Sequence, residues 1–254
     1  MILAIDIGNT NIVMGCMEGR EILAQRRIRT ERGWLADNYA SEMRRILREV
    51  SMDPRSFTGA ILSSVVPEID FEICSAVKTL TGLDCINVKP GMKLGFDICI
   101  EEANSLAADI ITGVAGAMDK YPLPLAIVDM GTATTIVVVD EKARYLGGVI
   151  LPGVKLGLSA LANGTSLLPG ISIEAPGKVI CGRTVEALQS GAVYGSAVLL
   201  DGLVERMETE LGQPMTVVAT GGLSGSIVPY CHRKVAHEPD LLLTGLAALY
   251  GLNS

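Results

Sequence analysis

One segment near the start of the chain comes back. Ala4-Ile5-Asp6-Ile7-Gly8-Asn9-Thr10 is matched by Ile127-Val128-Asp129-Met130-Gly131-Thr132-Ala133, at an offset of 123 residues that carries Asp6 onto Asp129. The register holds without a gap. Ile12-Val13-Met14 falls on Thr135-Ile136-Val137, and Glu18 falls on Glu141. In each copy an apolar run ends at Asp-x-Gly and a second apolar run follows. Charged turns come next, Glu18-Gly19-Arg20 and Asp140-Glu141-Lys142, and then third apolar runs around Ile22-Leu23 and Tyr145-Leu146. Alternating runs broken by such turns read as three-stranded meanders. A gapless repeat of this kind predicts a duplicated domain, two like halves with a cleft between them.

The segments between the repeats read mostly as helices. Asp37–Val50 places Tyr39, Met43, Ile46, Leu47 and Val50 on one face with arginines opposite. Glu68–Thr81 is similar, Ala103–Met118 is longer and rich in small residues, Val185–Glu210 makes one long helix or two, and Asp240–Leu252 closes the chain. Ala60–Val65 and Met215–Ala219 read as buried strands, the second running into Thr220-Gly221-Gly222. Strands alternating with helices define an α/β class. The boundary falls near Tyr121-Pro122-Leu123-Pro124, dividing the chain into halves 1–120 and 121–254.

Composition narrows the function classes. The 254 residues carry a net charge of −7, which argues against a nucleic-acid surface. The longest charge-free stretch, Leu211–His232, is broken by glycines and prolines and does not read as a membrane span. No basic leader precedes Met1, so a cytoplasmic protein is expected. Six scattered cysteines without a Cys-x-x-Cys pair, and only two histidines, read as free thiols rather than a zinc site.

Asp6-Ile7-Gly8-Asn9-Thr10 sets a carboxylate at a strand end, followed by a glycine turn with a short amide and a hydroxyl. Glycine lets backbone N–H groups approach a phosphate, and a carboxylate there can hold Mg²⁺. An ordinary turn uses the same residue types. The repetition at Asp129-Met130-Gly131-Thr132 and the later Thr220-Gly221-Gly222 favour three loops converging on one nucleotide. Arg26, Arg27, Arg29 and Arg32 read as a solvated basic face, and His232 and His237 lie in a polar loop without a nucleophile at useful spacing.

Two Asp-x-Gly hairpins and a late glycine pair resemble the actin-like and sugar-kinase superfamily, and within it the type III pantothenate kinases. The resemblance runs through Asp6-Ile7-Gly8-Asn9-Thr10-Asn11, Ser63-Ser64-Val65-Val66-Pro67, Asp129-Met130-Gly131-Thr132-Ala133-Thr134-Thr135 and Gly147-Gly148-Val149-Ile150-Leu151-Pro152-Gly153. It continues in Thr184-Val185-Glu186-Ala187-Leu188-Gln189-Ser190-Gly191 and Ala219-Thr220-Gly221-Gly222-Leu223. It implies a duplicated actin-like (ribonuclease H-like) fold that phosphorylates pantothenate with ATP, the first step of coenzyme A synthesis. It further implies Asp6 as the Mg²⁺ organiser, with Gly8, Asn9, Thr10, Asn11, Thr132, Gly221 and Gly222 around ATP. By the same resemblance Asp129 holds a monovalent cation, potassium or ammonium, Thr184 contacts the vitamin, and the chain pairs as a homodimer through its second half.

The family's general base lies in a Gly-Ala-Asp-Arg motif, and this chain reads Ala107-Ala108-Asp109-Ile110. Asp109 keeps the carboxylate that would accept the hydroxyl proton, and Ala108 and Asp109 would face the vitamin. The arginine's replacement by Ile110 leaves two other readings open: a relative that binds nucleotide as a regulator or sensor, and a kinase for another small hydroxylated substrate.

Overall fold

The apolar run Ile2–Ile7 is buried along its whole length and forms β1 (Ile2–Ile7) at the centre of a sheet. The structure, a computed structural model, describes residues 1–254. β2 (Asn11–Glu18) and β3 (Glu21–Arg29) follow as an antiparallel meander, after which the chain enters α1 (Ala36–Glu49). β4 (Gly59–Ser64) pairs parallel with β1, and α2 (Asp70–Thr81) leads to the short β5 (Cys85–Asn87). The sheet order is β3-β2-β1-β4-β5. Tyr39, Met43, Ile46 and Leu47 of α1 pack in one cluster with Ile73, Ala76 and Val77 of α2 and with Leu3, Ile5 and Ile7 of β1. Where one helix was expected from Ala103, the chain makes a 3-10 turn (Ala103–Ser105) and then α3 (Ala108–Lys120), so Asp109 sits in the helix's first turn.

The second compact unit repeats the plan. β6 (Asp97–Ile98) lies at its edge, and β7 (Leu125–Met130), β8 (Ala133–Val139) and β9 (Arg144–Pro152) form the second meander. α4 (Val154–Gly164) follows, and then a long helical run of α5 (Thr184–Ser190), a π-helical turn (Gly191–Gly195) and α6 (Ser196–Leu211). β10 (Thr216–Thr220), α7 (Ser224–Ile227) and β11 (Ala236–His237) complete the unit. Its sheet order is β11-β10-β7-β8-β9-β6, so β9-β8-β7-β10-β11 reproduces the order of the first sheet strand for strand. The bounds of β7 and β9 are those of β1 and β3 moved by the sequence offset. Both meanders carry a register shift, at Cys16/Met17 and at Val138/Val139.

The run Thr184–Leu211 is long and apolar enough to cross a membrane by length and composition. Its polar residues are tied into the second unit instead. Asp201 accepts from the backbone N–H of His232, and Glu208 pairs with Arg233.

The final helix, α8 (Leu241–Asn253), belongs to the first unit. The compact units are Met1–Phe96, Glu101–Lys120 and Asp240–Ser254 on one hand, and Asp97–Ile100 and Tyr121–Pro239 on the other. A linear cut near residue 120 therefore leaves α8 on the wrong side. The physical reason is a glycine contact. A Cβ on Gly245 would lie 2.0 Å from the Thr112 carbonyl oxygen, and one on Gly116 would lie 2.5 Å from that of Leu241. The backbones of α3 and α8 thus meet directly, and Leu243 reaches the bare face of Gly15 in β2.

Candidate active site

In the first unit, β1 delivers Asp6 to the sheet's end with its side chain almost fully buried. Asp6 stands in register with Ser63 of the parallel neighbour β4. The turn beyond it is closed by Gly8 N–H donating to the Asn11 carbonyl at 2.9 Å. Thr30 braces that turn from the end of β3. Its hydroxyl donates to the Gly8 carbonyl (2.6 Å) and its N–H to the Thr10 carbonyl (3.1 Å). Val65 N–H donates to the Ile7 carbonyl at 3.0 Å, so the segment after β4 is sewn to the same turn. Asn9 and Thr10 are left exposed at the tip.

The second unit copies this scheme. Asp129 stands in register with Thr220 of β10. Gly131 N–H donates to the Ala133 carbonyl (3.0 Å), Gly153 N–H to the Thr132 carbonyl (3.1 Å), and Leu223 N–H to the Met130 carbonyl (3.3 Å). Val65 and Leu223 bond the equivalent carbonyls of Ile7 and Met130, whereas Gly131 and Gly153 bond carbonyls one residue short of those that Gly8 and Thr30 use, and Thr132 is exposed like Asn9 and Thr10. Gly221 has φ +90°, and a Cβ there would sit 2.3 Å from Asp129 Oδ1 and 2.5 Å from Met130 N. Only glycine fits that approach. Gly222 is exposed beside it.

Asp109 opens α3 with its Oδ1 accepting from Ile110 N–H at 2.8 Å. Burial pushes its carboxyl above the ordinary carboxylate range, with backbone N–H groups pulling partly the other way. Ala108 is buried, and its carbonyl accepts the Thr112 hydroxyl at 2.7 Å. Thr184 is exposed at the N-terminus of α5. Asp6, Gly8, Asn9, Thr10, Asn11 and Asp109 are therefore carried by the first unit, and Asp129, Thr132, Thr184, Gly221 and Gly222 by the second.

The donor set beside Asp6 suits Mg²⁺. Ser63 Oγ, beside Asp6, is buried and has no hydrogen-bond partner, so it and the carboxylate supply hard oxygens of the kind Mg²⁺ takes. At Asp129 the carboxylate packs directly against the Gly221 backbone, with no room for a Cβ between them.

Three residues that sequence reasoning passed over touch these loops. Arg32 was read as part of a solvated basic face, yet its Nη2 donates to Asn9 Oδ1 at 3.0 Å. Thr30 braces the first turn. His237 Nε2 lies 3.0 Å from Ser224 Oγ, which itself donates to the Gly221 carbonyl at 2.7 Å, so the histidine N–H is the donor to the serine. Periodicity carries no signal for any of them, because each acts from a neighbouring strand or loop.

Solved structures with this fold cover nearly the whole chain. The activator of 2-hydroxyisocaproyl-CoA dehydratase from Clostridium difficile, with bound ADPNP, superposes at a TM-score of 0.55 and 14% identity, covering 99% of this chain and 94% of that one. A ROK family glucokinase from Streptomyces griseus, in complex with glucose and AMPPNP, gives 0.52 and 12%, covering 99% and 98%. The fold is that of the actin-like ATPases and sugar kinases. Sequence relationship narrows this to one family. A family model described as type III pantothenate kinase matches residues 2–206. A type III pantothenate kinase of Exiguobacterium sp. is 39% identical over 253 residues, 100% of this chain and 99% of the relative. The chain belongs to the type III pantothenate kinase family.

Proposed function

We propose that this protein phosphorylates pantothenate with ATP, giving 4′-phosphopantothenate and ADP, the entry step of coenzyme A synthesis. What carries the reading is that both Asp-x-Gly turns close at the end of equivalent strands with their first glycine N–H bonded within the turn, with Asp109 retained, in a chain that type III pantothenate kinases match end to end. The substrate hydroxyl attacks the γ-phosphorus, the bond to the β,γ-bridging oxygen breaks, and the hydroxyl proton passes to the Asp109 carboxylate. Burial raises the proton affinity of that carboxylate, which suits it to the role. Gly8, Asn9, Thr10, Asn11, Thr132, Gly221 and Gly222 serve the nucleotide with backbone and short polar side chains. Such kinases work by positioning and charge neutralisation. Asp6 would hold Mg²⁺, which would supply neutralisation of phosphate charge. Asp129 is the site for a monovalent cation, potassium or ammonium, and Thr184 and Ala108 face the vitamin.

The protein acts as a homodimer in the cytoplasm. Large apolar side chains are exposed in the second unit, Leu167 at 89%, Ile180 at 86%, Ile150 at 75% and Val198 at 65%, which a second copy would cover. All six cysteines are free thiols, as suits a reducing compartment.

The test is ADP release from MgATP with and without pantothenate, in potassium and then in sodium buffer. Pantothenate-dependent release, faster in potassium, is expected. Ile110, half-buried where the family motif has arginine, favours one other reading, a kinase for a different small alcohol. ATP binding without pantothenate-dependent release would favour that reading and overturn the first.

A further inference from the structure

The basic run at the end of β3 contains one arginine unlike its neighbours. Arg26 lies 4.0 Å from Glu49 at an exposed pair, and Arg27 and Arg29 are exposed. Arg32 instead spans two parts of the nucleotide-loop scaffold. Its Nη2 donates to Asn9 Oδ1 at 3.0 Å, and its Nη1 lies 3.1 Å from Glu68 Oε1, in the 3-10 turn Pro67–Ile69 just after β4. That turn continues the segment whose Val65 N–H is bonded to the Ile7 carbonyl.

The chemistry of the two side chains fixes an orientation. A guanidinium only donates, so it can hold the Asn9 amide only by its oxygen. The amide is planar, with its NH₂ on the opposite prong. The backbone of the turn is already committed, through Gly8 N–H to the Asn11 carbonyl and through Thr30 to the Gly8 and Thr10 carbonyls. Asn9 is therefore an exposed side chain on a rigid turn, with one prong clamped and a donor on the other. The clamp adds little stability, since the Arg32 and Glu68 side chains are 56% and 49% exposed and solvent screens such pairs. A solvated pair with a planar fork suits orientation better than stability.

We propose that Arg32 is a positioning residue for ATP: it fixes the Asn9 amide with its NH₂ toward the nucleotide phosphates, and Glu68 holds Arg32 in place. This rests on the reading that the Asp6–Asn11 turn takes the phosphates of ATP. Lysine cannot replace it, because a compact ammonium lacks the fork that meets Asn9 and Glu68 together.

The experiment measures KM for ATP and kcat at saturating pantothenate, calorimetric binding of a non-hydrolysable ATP analogue, and Tm. The variants are Arg32→Ala, Arg32→Lys, Asn9→Ala, Asn9→Asp and the Arg32→Ala/Asn9→Ala pair. Loss of a donor to a charged phosphate predicts that Arg32→Ala weakens ATP about tenfold in KM and in analogue binding, with a smaller change in kcat and an unchanged Tm. Arg32→Lys recovers little of that loss. The double variant is no worse than Asn9→Ala alone, since both remove one device. Asn9→Asp is worse than Asn9→Ala, because it keeps the Arg32 contact while turning a carboxylate oxygen toward phosphate. Wild-type ATP affinity in Arg32→Ala or in Asn9→Asp, or single effects that multiply in the double variant, would overturn the proposal while leaving the kinase reading intact. Should Arg32→Ala melt early, the comparison of Asn9→Asp with Asn9→Ala decides alone. A wild-type protein that binds no ATP analogue would sink the functional reading, and this proposal with it.

Discussion

Asp109 owes its chemistry to where α3 begins. The helix starts one residue before it, and burial there keeps its carboxyl above the ordinary carboxylate range. A base must be ionised to take a proton, so the acid limb of the pH–rate profile is expected above the free-Asp value of about 3.9. The folded protein holds that proton more tightly than the unfolded chain does. The ionised carboxylate therefore costs stability above its folded pKa, and that cost vanishes below the unfolded value. Asp109→Asn keeps the shape and the oxygen that accepts from Ile110 N–H. It should lower kcat by at least ~10²-fold, keep ATP-analogue affinity, and at pH 7 melt no lower than the wild type by calorimetry. Wild-type turnover in this variant would remove Asp109 from the role of base. Gly221→Ala is the counterpart in the second unit. A positive φ costs an ordinary residue roughly 1–2 kcal/mol, and the added Cβ collides with Asp129, so a lower Tm and loss of potassium stimulation should appear together. A lower Tm with full potassium stimulation would separate Asp129 from the cation. Asp6, Asp129 and Gly221 were legible in the sequence because each is tied to a strand end by an Asp-x-Gly or glycine-pair signature. Arg32 was not, since its partner Asn9 is reached only when β3 folds back along β2.

At the level of elements, the α3–α8 crossing sets the tolerance of the first unit. Gly116 and Gly245 face each other's helix with no room for a methyl group. Gly245→Ala is expected to destabilise by about 1–3 kcal/mol through overpacking, read as a lower urea midpoint with an unchanged slope. Gly157→Ala in α4, where a Cβ meets nothing within 4 Å, is the control and should be neutral or stabilising. Equal midpoints for the two variants would refute the close crossing. Long helices with one apolar stripe, α1 and α2, could be read directly from spacing, and the structure moves their ends by one or two residues. α4 was not read as a helix, and none of its residues is buried. β5, β6 and β11 are two or three residues long and exist only as additions to a sheet edge that something else built.

For the whole molecule, the repeat in the sequence and the repeated strand order are one fact seen twice. The offset was legible because strands and turns must keep their spacing to keep their hydrogen bonds, and the bonds of Val65 to Ile7 and Leu223 to Met130 show the constraint at work. The proposed homodimer rests on apolar side chains that one copy leaves uncovered. Ile180→Asp together with Val198→Asp should convert a dimer to a monomer in sedimentation, with the secondary structure unchanged by circular dichroism. Sedimentation of the wild type as a monomer would refute the pairing. The return of α8 to the first unit is what no linear reading could deliver, and it reaches beyond the folded state. A ribosome makes the first unit's sheet before the second unit, and the helix that seals it only after the entire second unit has emerged. The half of the protein that is born first is thus the half that matures last. A stop just before Leu241 would spare the second unit and leave the first one open.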